Sequence, residues 1–289
     1  MEIAMSKKTL NNDIVGLKFD PVPVKWRDND TMLYALAVGC TDADLDFVYE
    51  GRGPKVIPTY GVIPGMTVLG GLNNNVDINL MMVLHGEQSI EMYRPIPPRP
   101  KNATAAGSIA NVYDKGEGKA AVIIAECEVS DDDGPILKTS SSIFVRGSGG
   151  FGGDRGPSTK GVNTPPDRDP DHVIEYKTLP QQGALYRLTG DRVPLHIDPE
   201  FAKMAGYEKP FMHGLCTYGF TCRAIMEAVC GNDPENFVSL SGRFADQVWF
   251  GDSVITKMWI TEPGEAIVQV ETQAGSVVLS QAKATFKPG

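Results

Sequence analysis

Tyr186-Arg-Leu-Thr-Gly-Asp191-Arg-Val-Pro-Leu-His196-Ile-Asp198, continued by Pro210-Phe-Met-His-Gly-Leu-Cys216, is the densest cluster of unusual residues in the chain. Between the two pieces, Pro199 to Gly206 reads as a short helix, opened by proline and stopped by glycine. Asp191 and His196 stand five residues apart across a proline-kinked segment. They cannot share a helical face, but a loop can bring them together. A carboxylate beside an imidazole suits acid–base work near neutral pH. The same residues also fit a turn-capping aspartate and a packed core histidine, and spacing alone leaves both readings open.

Other chemistries fit less well. His196, His213, Cys216 and Cys222 do not form the two close pairs of a tetrahedral zinc site. The chain has no G-x-S-x-G elbow of a serine esterase. Gly116-Glu-Gly-Lys119 lacks the spacing of a phosphate-binding loop.

Working outward, the chain resembles itself at an offset of 152 positions. Tyr34-Ala-Leu-Ala-Val-Gly39 lies over Tyr186 to Asp191, Pro58 over Pro210, and Gly86 to Pro95 over Val238 to Gln247. Gly39 and Asp44 then occupy the places of Asp191 and His196, so only one half carries the pair. Each half has an early helix-compatible stretch, Tyr60–Leu72 and Gly214–Cys230, followed by β-rich stretches. These are Asp77–Leu84, Ala120–Ala125 and Leu137–Val145, then Asn236–Leu240, Ser253–Ile260, Ala266–Val270 and Val277–Phe286. A helix laid on an antiparallel sheet, twice over, is an α+β arrangement.

The halves are separated by Gly147 to Asp171, rich in Gly, Pro and charge and without hydrophobic periodicity. The boundaries expected are 1–146 for the first domain, 147–172 for the linker and 173–289 for the second domain. Gly147, Gly149 and Gly152 match a dinucleotide fingerprint after a strand, but Asp154-Arg-Gly-Pro that follows cannot begin the helix this motif needs.

With 289 residues the chain can bury two cores. Its composition, 42% hydrophobic and 22% charged, is that of a globular protein. No run approaches the ~18 to 20 apolar residues of a membrane span. Met1 to Lys8 is polar, unlike a signal peptide. A net charge of −9 argues against nucleic acid as the main partner. Five cysteines, an odd number without a C-x-x-C pair, read as reduced thiols in an intracellular protein.

The stretch from Tyr186 to Cys216 resembles the hydratase 2 motif of the MaoC-like (R)-specific enoyl-CoA hydratases. The first half resembles the N-terminal half of the eukaryotic type through Pro58-Thr-Tyr, Leu84-His-Gly-Glu-Gln88, Arg94-Pro-Ile-Pro97, Val112-Tyr-Asp-Lys115 and Val145 to Gly153. The resemblance covers nearly the whole chain. It implies a double hot dog, two antiparallel sheets each wrapped around a long helix, whose first domain is non-catalytic and makes room for the acyl tail. It also implies reversible hydration of trans-2-enoyl-CoA to (R)-3-hydroxyacyl-CoA in fatty-acid β-oxidation, without cofactor or metal. By position Asp191 and His196 become the catalytic pair and Gly214 the oxyanion donor. His85, Gly86, Lys115, Val193 and Phe244 become acyl-CoA contacts. Lys115 is the candidate for a CoA phosphate, with a solvated turn lysine as the other reading.

Two departures stand out. Val193 replaces the family's Asn, so the expectation is weakened turnover that Val193→Asn would raise about tenfold. Phe250-Gly-Asp252 replaces the usual Pro-Gly and looks structural. Alternatives are a catalytically weakened acyl-CoA-binding protein and a related thioesterase or dehydratase. The resemblance implies a peroxisomal location, or a cytoplasmic one in a bacterium. The chain ends Lys287-Pro-Gly289 without a serine-lysine-leucine signal. A homodimer is left open.

Overall fold

Ten strands join edge to edge into one antiparallel sheet, and its order explains why the two halves read alike. The computed structural model describes residues 7–288, so the N-terminal reading lies, as far as Ser6, outside the described residues, as does Gly289. The first half contributes β1 (Val22–Pro23), β2 (Val83–Met92), β3 (Thr104–Asp114), β4 (Ala121–Asp131) and β5 (Gly134–Val145). The second contributes β6 (His172–Lys177), β7 (Phe237–Phe244), β8 (Ser253–Glu262), β9 (Glu265–Thr272) and β10 (Val277–Phe286). The order across the sheet is β1-β3-β4-β5-β2-β7-β10-β9-β8-β6, the same sequence of strands read inward from either edge. The two expected sheets are therefore halves of one, fused where β2 pairs antiparallel with β7.

Strand alternation places the core. In β9 every second residue, Ala266, Val268, Val270 and Thr272, is buried while its neighbours are half-exposed. Against the second half lies a helix, Gly214–Val229, whose residues are buried nearly all round, as a helix enclosed by a sheet requires. Gly231, at φ 60°, ends it, and the Asn232 N–H reaches back to the Met226 carbonyl at 2.9 Å. The first half's counterpart is in pieces: a 3-10 turn Pro58–Gly61, a helical turn Val62–Gly65 and a helix Thr67–Asn75. Pro64 supplies no N–H to a continuous helix, which accounts for the segmentation.

Three further helices, Asp28–Ala37, Gln182–Tyr186 and Pro199–Met204, join Thr67–Asn75 and Gly214–Val229. In chain order we number them α1 (Asp28–Ala37), α2 (Thr67–Asn75), α3 (Gln182–Tyr186), α4 (Pro199–Met204) and α5 (Gly214–Val229). α1 packs over α5 so closely that a Cβ on Gly219 would stand 2.4 Å from Val38 and 2.9 Å from the Tyr34 hydroxyl. Only glycine admits that approach.

Three strand expectations need correction. Asp77–Leu84 is not one strand. Asn79 caps a 3-10 turn at Leu80–Met82, accepting the Met81 N–H at 3.0 Å, and the strand begins at Val83. Its apolar residues looked like a strand, yet Leu80, Met81 and Leu84 are exposed. The strands Thr104–Asp114 and His172–Lys177 were not anticipated. Gly107 and mixed polar residues dilute the first, and the second is a half-buried edge strand.

The glycine-rich segment after β5 has a partner of its own. The Asp114 carboxylate accepts the N–H groups of Gly116, Gly150 and Gly152, each at 2.7 Å, and of Gly153 at 3.4 Å. The Gly150 bond first, with the other three amides, holds this carboxyl down to about 2 against the opposing effect of burial. The apparent dinucleotide fingerprint thus cradles an internal carboxylate.

Candidate active site

The Asp191 segment is shaped by its glycine and prolines. Gly190, at φ 146°, turns the chain out of the 3-10 turn Arg187–Thr189, and a side chain there would meet Ile63 of the other half. Pro194 opens a second 3-10 turn that ends on His196, and Asp198 caps α4 by accepting the Glu200 N–H at 2.9 Å. The local backbone therefore fixes both ends of the Asp191–His196 span.

The two side chains sit in a dry place. Asp191 is 8% exposed, and its Oδ1 accepts the Val193 N–H at 3.3 Å. Burial pushes its carboxyl up, against the pull of the His196 charge and the Val193 amide. Burial pushes the His196 imidazole down, against its bond to Phe211 and the Asp191 charge. His196 Nδ1–H donates to the Phe211 carbonyl at 2.9 Å. That bond fixes the tautomer and leaves Nε2 with a free lone pair.

His213 completes the arrangement. Its ring lies 4.0 Å from that of His196, tilted by 32°, and 4.9 Å from that of Tyr186. Nε2–H donates to the Asp191 backbone carbonyl at 3.2 Å. Burial first, then the His196 charge, holds its imidazole down to about 2, so it stays neutral. The next residue, Gly214, begins α5, where the first N–H groups have no acceptor within the helix. A Cβ on Gly214 would stand 3.0 Å from the Phe244 ring. Phe244 meets the His85 ring edge-on at 5.2 Å, and His85 Nε2 bonds the Glu87 carbonyl at 3.1 Å. Burial pushes His85 down to about 4. Gly86, at a bulge in β2, lies against Phe144 with no room for a Cβ.

Asp191, His196, Gly214, Phe244, His85 and Gly86 thus form one connected set. Lys115 lies apart from it, just after β3, which is separated from β2 by β4 and β5. Its ammonium donates to the Arg155 carbonyl and lies 5.4 Å from the Tyr113 ring centre. Arg155 Nη1 returns a bond to the Lys115 carbonyl at 2.8 Å. Val193 is 45% exposed, and its backbone N–H is what reaches Asp191. A cleft of about 590 Å³ between Trp26 and Pro100, Asn102, Ala103 and Thr104 touches none of these residues. Its lining has Lys25, Arg27 and Asp30 but no histidine, whereas the carboxylate–imidazole pair stands at Asp191 and His196.

Sequence reasoning missed Phe211, which anchors His196, and weighed His213 only as a metal ligand. Their signal was present in Pro210-Phe-Met-His213-Gly, but a carbonyl acceptor and a ring stack leave no mark on spacing.

An Asp–His loop beside the start of a long helix, in a sheet built from two like halves, defines a double hot-dog protein of the MaoC-like class. Residues 25–147 match the MFE-2 hydratase 2 N-terminal domain, and residues 162–282 the MaoC like domain. The chain is 40% identical to the probable enoyl-CoA hydratase 2 of Dictyostelium discoideum over 95% of its length and 96% of that protein's. It is 36% identical to the peroxisomal enoyl-CoA hydratase 2 of Arabidopsis thaliana, covering 89% and 90% of the two chains. The crystal structure of a MaoC-like dehydratase from Phytophthora capsici superposes with a TM-score of 0.86 at 31% identity, over 96% of this chain and 98% of that one. This chain belongs to the hydratase 2 family of MaoC-like enoyl-CoA hydratases.

Proposed function

We propose that the protein adds water to trans-2-enoyl-CoA thioesters, giving (R)-3-hydroxyacyl-CoA, and runs the reverse dehydration, as a hydro-lyase of fatty-acid β-oxidation. The observation that carries the chemistry is the His196 tautomer: with Nδ1–H spent on the Phe211 carbonyl, Nε2 is left to take a proton beside the Asp191 carboxyl. One water held by the two groups gives its oxygen to C3. The proton it loses to the pair returns to C2 from the same side, so addition is syn and no proton is left over. Charge developing on the thioester oxygen is met by the Gly214 N–H at the start of α5, where the helix dipole is positive.

In this reading residues 173–289 are the catalytic domain, 147–172 the linker, and 1–146 the non-catalytic domain that accommodates the acyl tail. His85, Gly86 and Phe244 line the thioester end, and Lys115 contacts the CoA phosphates. The partner is an acyl-CoA thioester. Among the described residues no helix is long and apolar enough to cross a membrane. A peroxisomal location goes with the proposal, supported by the location in the Arabidopsis relative's name. A homodimer is part of it too, to be read by sedimentation velocity.

The test is loss of enoyl absorbance on incubation with crotonyl-CoA and decenoyl-CoA, with chiral analysis of the product. An (S)-product, release of free thiol, or tight binding without turnover would each overturn the reading.

A further inference from the structure

Tyr34 on α1 and Tyr186 at the end of α3 are equivalent positions of the two halves, and their rings lie 5.9 Å apart, fully buried. Tyr34 faces the hydroxyls of Thr59 and Tyr186, and Tyr186 lies against the His213 ring. Four polar atoms in this row have no hydrogen-bond partner among the described residues: Thr59 Oγ1, Tyr34 Oη, Tyr186 Oη and His213 Nδ1. All four side chains are at most 1% exposed. Buried polar groups without partners are rare in folded proteins, so a cluster of four asks for an arrangement that satisfies them together.

Proton bookkeeping supplies one. His213 spends its Nε2–H on the Asp191 carbonyl and its ring is neutral, so Nδ1 can only accept. Each hydroxyl has one proton to give. A row in which Thr59 donates to Tyr34, Tyr34 to Tyr186 and Tyr186 to His213 meets all four, each link direct or through one enclosed water.

We propose that Tyr34, in the half without the Asp–His pair, is a positioning residue for the reaction. Acting through Tyr186, it orients the His213 ring that carries the Asp191 backbone and stacks on His196. This rests on the reading of Asp191 and His196 given above. The first half then contributes to the chemistry itself as well as to the space for the acyl group.

The experiment compares Tyr34→Phe, Tyr186→Phe and the double variant, with Asp191→Asn beside them. Each single change removes one hydroxyl and keeps the ring. Each is expected to lower kcat on crotonyl-CoA about tenfold, the scale of a slightly misplaced catalytic group, while KM stays within about twofold. Because a row broken once is already broken, the double variant should be no worse than the weaker single variant. The ¹⁵N resonance of His213 Nδ1 should move in all three. Losses that multiply to about a hundredfold, as independent packing defects would, overturn the proposal. So does full activity in Tyr34→Phe, or a His213 resonance that Tyr34→Phe leaves unmoved. Should a Phe variant fail to fold, Thr59→Val at the far end of the row must still move that resonance. A full rate in Asp191→Asn would instead sink the reading of the catalytic pair, leaving the resonance to judge the row.

Discussion

Ser89 and Ser241 are paired directly across the junction of β2 and β7, and they are the same position of the repeated unit, 152 residues apart. The neighbouring pairs, Ile90 with Leu240 and Gln88 with Gly242, run outward from them in antiparallel register. A strand can face its own duplicate at the equivalent residue only if an approximate twofold axis passes through that pair. The offset read from the sequence and the register read from the sheet are therefore one fact. The same near-symmetry puts Tyr34 opposite Tyr186 in the interior.

Asp191→Asn and His196→Gln should each lower hydration of crotonyl-CoA by about 10²-fold or more, in keeping with acid–base roles. KM should change far less, since neither residue is needed to hold the CoA. Steady-state kinetics decides it, and a variant at nearly full rate would remove that residue from the mechanism.

The pH profile should be flat through neutrality and fall on the acid side. His196 must be unprotonated to accept a proton, and burial sets its midpoint below the ordinary 6.5. Asp191 is shifted upward from 3.8. The two approach each other, so the acid limb belongs to the pair. A limb centred above pH 6.5 in kcat/KM would contradict this.

The exposure of Val193 and its backbone bond to Asp191 argue for a smaller effect of Val193→Asn than a gain of about tenfold in turnover. With the side chain toward solvent and only its N–H on Asp191, the change should alter kcat by less than about twofold, as surface substitutions do. Val193→Pro keeps a φ near −56° but deletes that N–H. It should lower kcat and move the acid limb to higher pH, because the carboxylate loses a donor. A fast Val193→Pro enzyme with an unmoved limb would show that the amide does nothing.

Gly219→Ala should be among the most damaging one-methyl changes in the chain. The added carbon would stand 2.4 Å from Val38 in the crossing of α1 over α5. Overpacking of this kind costs about 1–3 kcal/mol, which lowers Tm measurably. An unchanged melting curve would mean that α1 can lift away freely.

Asp114→Asn should destabilise the protein at neutral pH and progressively less in acid. The folded carboxyl is held down to about 2, below its ordinary 3.8, so its contribution is complete above that ordinary value. It is lost as pH falls from there through about 2. Denaturant titrations of both proteins at neutral pH and near pH 3 test this, and a constant difference would refute it.

The sequence by itself determined the duplication, the long helix and the Asp–His segment, because each is written in local signals. These are an offset that persists without gaps, helical spacing from Leu215 to Val229, and prolines and glycines that turn the chain. It missed Thr104–Asp114 and overextended Asp77–Leu84, where burial, set by distant partners, decides whether an apolar residue lies in a strand. Only the tertiary structure joined two sheets into one through β2 and β7 and turned the glycine loop inward onto Asp114. It alone set the His196 tautomer through the Phe211 carbonyl, laid His213 on His196, and faced Val193 toward water. The reason is physical. A side chain's protonation and partner depend on which backbone groups reach it once the chain has packed, and those groups come from residues far from it in sequence.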